Sequence, residues 1–163
     1  MQPAFRFSLF FLICTAAISC TRDKCKDTSC LNDGICLEGE CLCPFGYEGE
    51  HCETAWNARF PGVWSVAASP QGTGDTTVYQ VSLVASANPA QFYVMNFHEE
   101  LDSIICKRTG ARSFSFIDNQ LRDSSLILIS GSGSYDSLGN NLAVSYRLKM
   151  EDTTIRYFAT WKR

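Results

Sequence analysis

Nine cysteines and two histidines are the side chains of this 163-residue sequence whose types and spacing could do chemistry. Six of the cysteines lie between Cys25 and Cys52, spaced C-x4-C-x5-C-x4-C-x-C-x8-C. Thiols at this density either chelate a metal or oxidise in pairs. Zinc sites usually draw on two CxxC or CxxC/HxxxH pairs, and the sequence has none. Oxidation is the chemistry that fits, and disulfides persist outside the reducing cytosol. So short a segment buries too little apolar surface to fold unaided. Each bridge is therefore needed, at about 2–4 kcal/mol through restriction of the unfolded chain. Six cysteines allow fifteen pairings, and spacing does not choose among them.

The remaining candidates for catalysis are few. His51 sits between Glu50 and Cys52 and reads as exposed and structural. His98-Glu99-Glu100-Leu101-Asp102 has the start of H-E-x-x-H without the second histidine, and lies at a strand end rather than on a helix. Ser130-Gly131-Ser132-Gly133-Ser134 is not G-x-S-x-G and lacks the strand–turn–helix which that elbow needs. Small residues relieving crowding on a curved strand are the reading there. Cys106 has Lys107 and Arg108 beside it, which would lower a thiol pKa, yet Ile104-Ile105 before it points to a buried strand thiol. No catalytic residue, metal site or cofactor is expected. Fourteen Lys and Arg stand against seventeen Asp and Glu, and without Arg6 the balance is thirteen against seventeen, with no basic run. Nucleic acid is not an expected partner.

The elements that position these residues begin with the stapled segment. Asn32-Asp33-Gly34 is a turn signal. Cys41-Leu42-Cys43 puts two thiols on opposite sides of an extended strand. Pro44-Phe45-Gly46-Tyr47-Glu48-Gly49 turns the chain back towards Cys52. The six-cysteine spacing and the C-x-C-x2-G-Y-x-G-x2-C ending, Cys41 to Cys52, resemble an EGF-like domain over residues 25–52. That resemblance implies the pairs Cys25–Cys36, Cys30–Cys41 and Cys43–Cys52 around a small two-stranded sheet. It does not bring the family's functions with it. Thr21-Arg22-Asp23-Lys24 lacks the acidic set of the calcium-binding subtype, since a divalent ion needs several oxygen ligands. His51 stands where the receptor-activating subtype has arginine, and no leucine follows in Glu53-Thr54-Ala55-Trp56.

At the amino terminus, Arg6 precedes a mostly apolar run from Phe7 to Ile18, too short to span a ~30 Å bilayer. Residues 1–19 read as a secretory signal. Ala17-Ile18-Ser19-Cys20 resembles the lipobox of bacterial lipoproteins, which implies that Cys20 carries acyl chains such as palmitate and that membrane lipid is a partner. Cleavage by the ordinary signal peptidase after Ala17-x-Ser19 is the alternative, giving a soluble secreted chain in which Cys20 and Cys106 could pair. None of the seven asparagines lies in an N-x-S/T sequon. Residues 20–24 then form a tether, in which the four residues between Cys20 and Cys25 reach at most ~14 Å. Two or more acyl chains anchor stably where one is marginal.

After a linker at 53–59, residues 60–163 suffice for one domain. Segments 62–69, 76–87, 91–98, 103–107, 113–118, 126–134, 142–150 and 154–161 read as strands. Leu142, Val144, Tyr146, Leu148 and Met150 alternate with Ala143, Ser145, Arg147 and Lys149. Ile155, Tyr157, Ala159 and Trp161 repeat the pattern, which Phe158 breaks. A period of two belongs to half-buried antiparallel strands. The connections leave no room for crossover helices, so the fold class is mainly β. A meander of this many strands hides its edges best by closing into an up-and-down barrel, with a β-sandwich as second choice. Phe60-Pro61-Gly62-Val63-Trp64 resembles the F-x-G-x-W opening of lipocalin-like and avidin-like barrels, which implies a Trp at one barrel end under Arg156 or Arg163. The whole order resembles surface lipoproteins of Gram-negative bacteria. The expectation is a non-enzymatic, membrane-anchored protein at the outer membrane or cell surface, its EGF-like spacer presenting a β-domain to an unknown protein or small-molecule ligand. The alternative is a lipocalin-like carrier of a small apolar ligand.

Overall fold

The computed structural model describes residues 23–118, 120–121, 126–136 and 140–163. Cys20, the signal segment and the proposed cleavage site lie outside the described residues.

The first module is held by three disulfides, Cys25–Cys36, Cys30–Cys41 and Cys43–Cys52. Strands β1 (Ile35–Leu37) and β2 (Glu40–Leu42) form its hairpin, with Cys36 opposite Cys41. A second ribbon pairs β3 (Tyr47–Glu48) with β4 (Thr54–Ala55). The expected linker is thus structured: β4 runs into a 3-10 turn over Trp56–Arg59.

The remaining strands follow one another as a meander: β5 (Gly62–Pro70), β6 (Thr77–Ala85), β7 (Gln91–Phe97), β8 (Leu101–Arg108) and β9 (Ser113–Phe116). Then come β10 (Gln120–Leu121), β11 (Leu126–Tyr135), β12 (Asn141–Met150) and β13 (Thr153–Lys162). Each pairs antiparallel with its sequence neighbour, except where β9 gives way to the short β10. Two further pairings close an eight-stranded barrel, β13 on β5 and β9 on β11 across β10. Gln120 fills the gap beside β8, where its side-chain Nε2 donates to Ile105 O at 2.9 Å and its Oε1 accepts from Ile105 N. The side-chain amide takes the place of a backbone partner.

Inward residues fill the barrel. Trp64, Phe92, Phe97, Leu128, Leu142, Leu148 and Trp161 are fully buried. Val144, Tyr146, Leu148, Tyr157 and Trp161, the inward set of the last two strands, all join this core. Tyr146 stacks on Tyr157 at 5.2 Å, and Phe97 meets Tyr146 edge-on at 4.9 Å, arrangements worth about 0.5–1.5 kcal/mol per pair beyond burial. One end is sealed by the Phe60–Trp64 motif. Trp64 Nε1 donates to Phe60 O at 3.0 Å, and the Arg163 guanidinium lies 4.9 Å from the Trp64 ring centroid. Arg163, not Arg156, makes this cap; Arg156 faces outward on β13 and is exposed.

The two modules meet at this sealed end. Asn57, buried in the 3-10 turn, donates from Nδ2 to Ser86 O, Asn88 O and Gln91 O at 2.8–3.0 Å. Those three carbonyls ring the β6–β7 loop, so one amide closes it. Asn57 N donates to Pro89 O, and Trp56 N to Gly46 O. Gly46, at φ +104°, lies so close to Pro89 that a Cβ there would come within 3.1 Å of its Cγ, which explains a glycine at that turn. Phe45 packs edge-on against Trp56, and Arg59 pairs with Glu48 at 2.6 Å.

Candidate binding surface

Antiparallel register puts the outward residues of β9, β11, β12, β13 and β5 in rows across the barrel wall. Ser115, Ser132, Ser145, Phe158 and Ser69 form one row. Ser113, Ser134, Ala143, Thr160 and Ala67 form the next, towards the module end. On the other side stand Ser130, Arg147 and Arg156. The first two rows, Ser115 excepted, line an outer groove of about 820 Å³, and a second hollow of about 450 Å³ continues it to the arginines, sharing Ser132 and Ser145.

Strand β11 makes the wall concave. Its inward positions opposite Phe116 and Phe114 are Gly131 and Gly133. A Cβ on Gly131 would lie 2.5 Å from Phe116 Cδ2, and one on Gly133 would lie 2.6 Å from Phe114 Cε1. Without those methyls the strand sinks against the aromatic core, and a bulge between Leu128 and Ser130 bends it further. The Ser-Gly-Ser-Gly-Ser run is therefore a site of close packing inside and hydroxyls outside.

The groove's chemistry is uneven. Hydroxyls tie its walls together, Ser69 with Thr76 at 2.8 Å and Thr109 with Ser113 at 2.9 Å. Phe158 rises from the floor with 51% of its surface exposed. This is the residue that breaks the alternation of β13. Arg147 and Arg156 face each other directly across β12 and β13. Like charges placed so are destabilising. Arg147 Nε and Nη2 both rest on Ser130 Oγ, at 3.1 and 2.9 Å. Among the described residues, no carboxylate lies within ion-pair distance of either arginine.

The residues considered for catalysis are not brought together. His51 is exposed in the module, where its backbone N–H donates to Glu53 Oε2. His98 is at the far end of the barrel, in the β7–β8 turn. Its ring packs on Tyr157 at 5.0 Å and Tyr79 at 5.6 Å, and burial pushes its pKa below the usual value. Asn96, His98 and Glu99 all have positive φ there. Cys106 is fully buried and unbridged. Burial pushes its thiol pKa well up, so Lys107 and Arg108 do not activate it. Arg108 instead turns into the sealed end, fully buried, 4.4 Å over the Phe60 ring, with Nε donating to Gly110 O. Desolvation holds its pKa down at about 10. Among the described residues no group of three or more His, Cys, Asp or Glu could hold a metal ion. No described helix is long and apolar enough to cross a membrane.

No family model matches the chain. It is similar to pikachurin of Bos taurus, 37% identical over 60 residues, covering 31% of this chain and 6% of that protein. Pikachurin of Rattus norvegicus matches at 37% and that of Homo sapiens at 35%, with the same coverage. The chain thus spans about 6% of the length of the curated relatives it matches. Three disulfides in the EGF-like arrangement mark an exported or extracellular protein. It is mainly β, a disulfide-rich module joined to an eight-stranded antiparallel barrel.

Proposed function

We propose that the protein is a non-enzymatic surface protein, anchored to a membrane through acylated Cys20, whose EGF-like module is a stiff spacer and whose barrel wall binds the partner. The observation that supports this best is the filled barrel interior beside a groove on its outer face. Binding sites are concave and mostly preformed, and Tyr146, Tyr157 and Trp161 occupy the space where a carrier would hold an apolar ligand. The junction at Asn57 and Trp56 speaks for a spacer that holds the barrel at a fixed angle. The four residues between Cys20 and Cys25 give a lipid anchor at most ~14 Å of slack.

Intact mass of the natively expressed protein, before and after reduction and alkylation, tests the anchor. The expected result is a lipid-sized increment on Cys20, six oxidised cysteines, and Cys106 as the one thiol in the mature chain that alkylates only after unfolding. An unlipidated chain with eight oxidised cysteines would replace this reading with a soluble secreted protein bridged between Cys20 and Cys106.

A further inference from the structure

We infer that the outer groove binds a carboxylate-bearing oligosaccharide, its acidic group held between Arg147 and Arg156 and a sugar ring laid on Phe158. This rests on the reading that the barrel binds through its wall. The two arginines supply charge complementarity. They face each other in register with no described carboxylate near, on a chain of net negative charge. An anion between them turns a repulsive pair into two charge-assisted contacts, and the guanidinium fork matches the two oxygens of a carboxylate. Ser130 holds one of the forks in place from the side.

Two rows from the module end, the ligand changes character. Phe158 is exposed between Ser145 and Ser69 in its row. An aromatic face flanked by hydroxyls suits the apolar face of a sugar ring with its own hydroxyls at the rim, since the aromatic covers C–H groups while serines exchange hydrogen bonds with the edge. A peptide has less to gain here. Along the two rows of the groove β9, β11, β12, β13 and β5 are paired one to the next, so no strand edge there offers backbone hydrogen bonds to an added strand. The five-strand width, about 19 Å at ~4.8 Å per strand, gives room for several sugar units in a row.

The test is titration calorimetry on the full oxidised chain carrying Cys20→Ser, which removes the anchor from the question. The probes are a galacturonate hexamer, its fully methyl-esterified form, a glutamate hexamer and a heparin hexasaccharide. The galacturonate hexamer is expected to bind, with the ester and the peptide at least about tenfold weaker, as loss of a charge-assisted contact or of the stacked ring requires. Arg156→Gln and Phe158→Ser, both at exposed positions, should each weaken it about fivefold or more, while Val84→Ser on β6 should not. Equal binding of the peptide would reassign the groove to acidic protein segments, and tighter binding of heparin to sulfated chains. Either outcome, or no binding of the galacturonate hexamer, overturns the inference. Binding unchanged by both groove substitutions overturns it as well, while leaving the wall as the binding surface. One-to-one uptake of a fatty acid by the folded barrel, unaffected by both substitutions, would instead defeat the wall reading itself.

Discussion

Replacing Gly131 with alanine puts a number on how β11 shapes the groove. The added methyl would lie 2.5 Å from Phe116 Cδ2, 2.6 Å from Tyr146 Cβ and 2.7 Å from Ser145 O. Carbon atoms rest at about 3.5–4.0 Å, so each overlap is close to an ångström. Two of the three opposing atoms are the backbone and Cβ of β12, which have no rotamer to escape into. The strand must move outward. Overpacking costs about 1–3 kcal/mol, and this geometry belongs at the upper end. Alanine recovers about 0.5–1 kcal/mol of glycine's backbone penalty, leaving a net loss near 2 kcal/mol. For a domain of this size that lowers the melting temperature by about 8–16 °C. Gly133→Ala meets only side-chain ends, the Phe114 ring at Cζ and Cε1 and Val144 Cγ2 at 3.0 Å, which can yield by small rotations, and should cost less than Gly131→Ala. Thermal unfolding of the oxidised protein, followed by near-ultraviolet circular dichroism, measures both. Phe114→Leu should rescue Gly133→Ala with a coupling above about 0.5 kcal/mol, whereas Phe116→Leu should rescue Gly131→Ala only in part. If Gly131→Ala melts with the parent, or Gly133→Ala is the worse of the two, β11 is not held inward by these contacts.

Asn57→Ala strips the β6–β7 loop of three hydrogen bonds; it should cost about 1–3 kcal/mol in urea unfolding and raise amide exchange across residues 86–91, and a silent loop would show that water replaces the amide freely. His98 has its folded pKa lowered by burial, so the unfolded chain takes up the proton first as pH falls. Its contribution is whole above about pH 6.5 and shrinks below it until the folded pKa is reached. His98→Phe should flatten the melting temperature over that window, and an unchanged slope assigns the dependence to other groups. Cys106, buried with its thiol pKa raised, should react with iodoacetamide at pH 8 at the rate of global unfolding; fast labelling of the folded protein would contradict its burial.

The barrel was legible because β12 keeps a strict period of two, β13 repeats it apart from Phe158, and every connection is too short for a helix. Boundaries shifted by one or two residues, as for β8, which starts at Leu101 rather than Ser103. What the sequence did not reveal were side chains doing backbone work. Asn57 and Gln120 each bond carbonyls that are far away along the chain or across a gap in the sheet, and no periodic pattern encodes that. Cys106 was read correctly as a buried strand thiol, but the place of Arg108 was not legible, since it turns away from that thiol to cap Phe60. The outer groove left two traces in the sequence, the Ser130–Ser134 run and the phase error at Phe158. The Arg147–Arg156 pairing needed the register, because the two residues become neighbours only when the β12–β13 turn is fixed.

The junction also decides the order in which the molecule comes apart. The module owes its stability to covalent bridges and the barrel owes its own to packing, so a reductant attacks only one of them. Once the bridges open, Gly46 and Trp56 lose the fold that presents them to the barrel, while Phe60, Trp64 and Arg163 stay within the barrel's own end. The weakest point then is the loop 86–91, left without its amide plug. Reducing conditions should thus yield a folded barrel trimmed of its disulfide-rich module, with the first internal protease cut at that loop, and limited proteolysis with and without reductant reads the sequence of events directly.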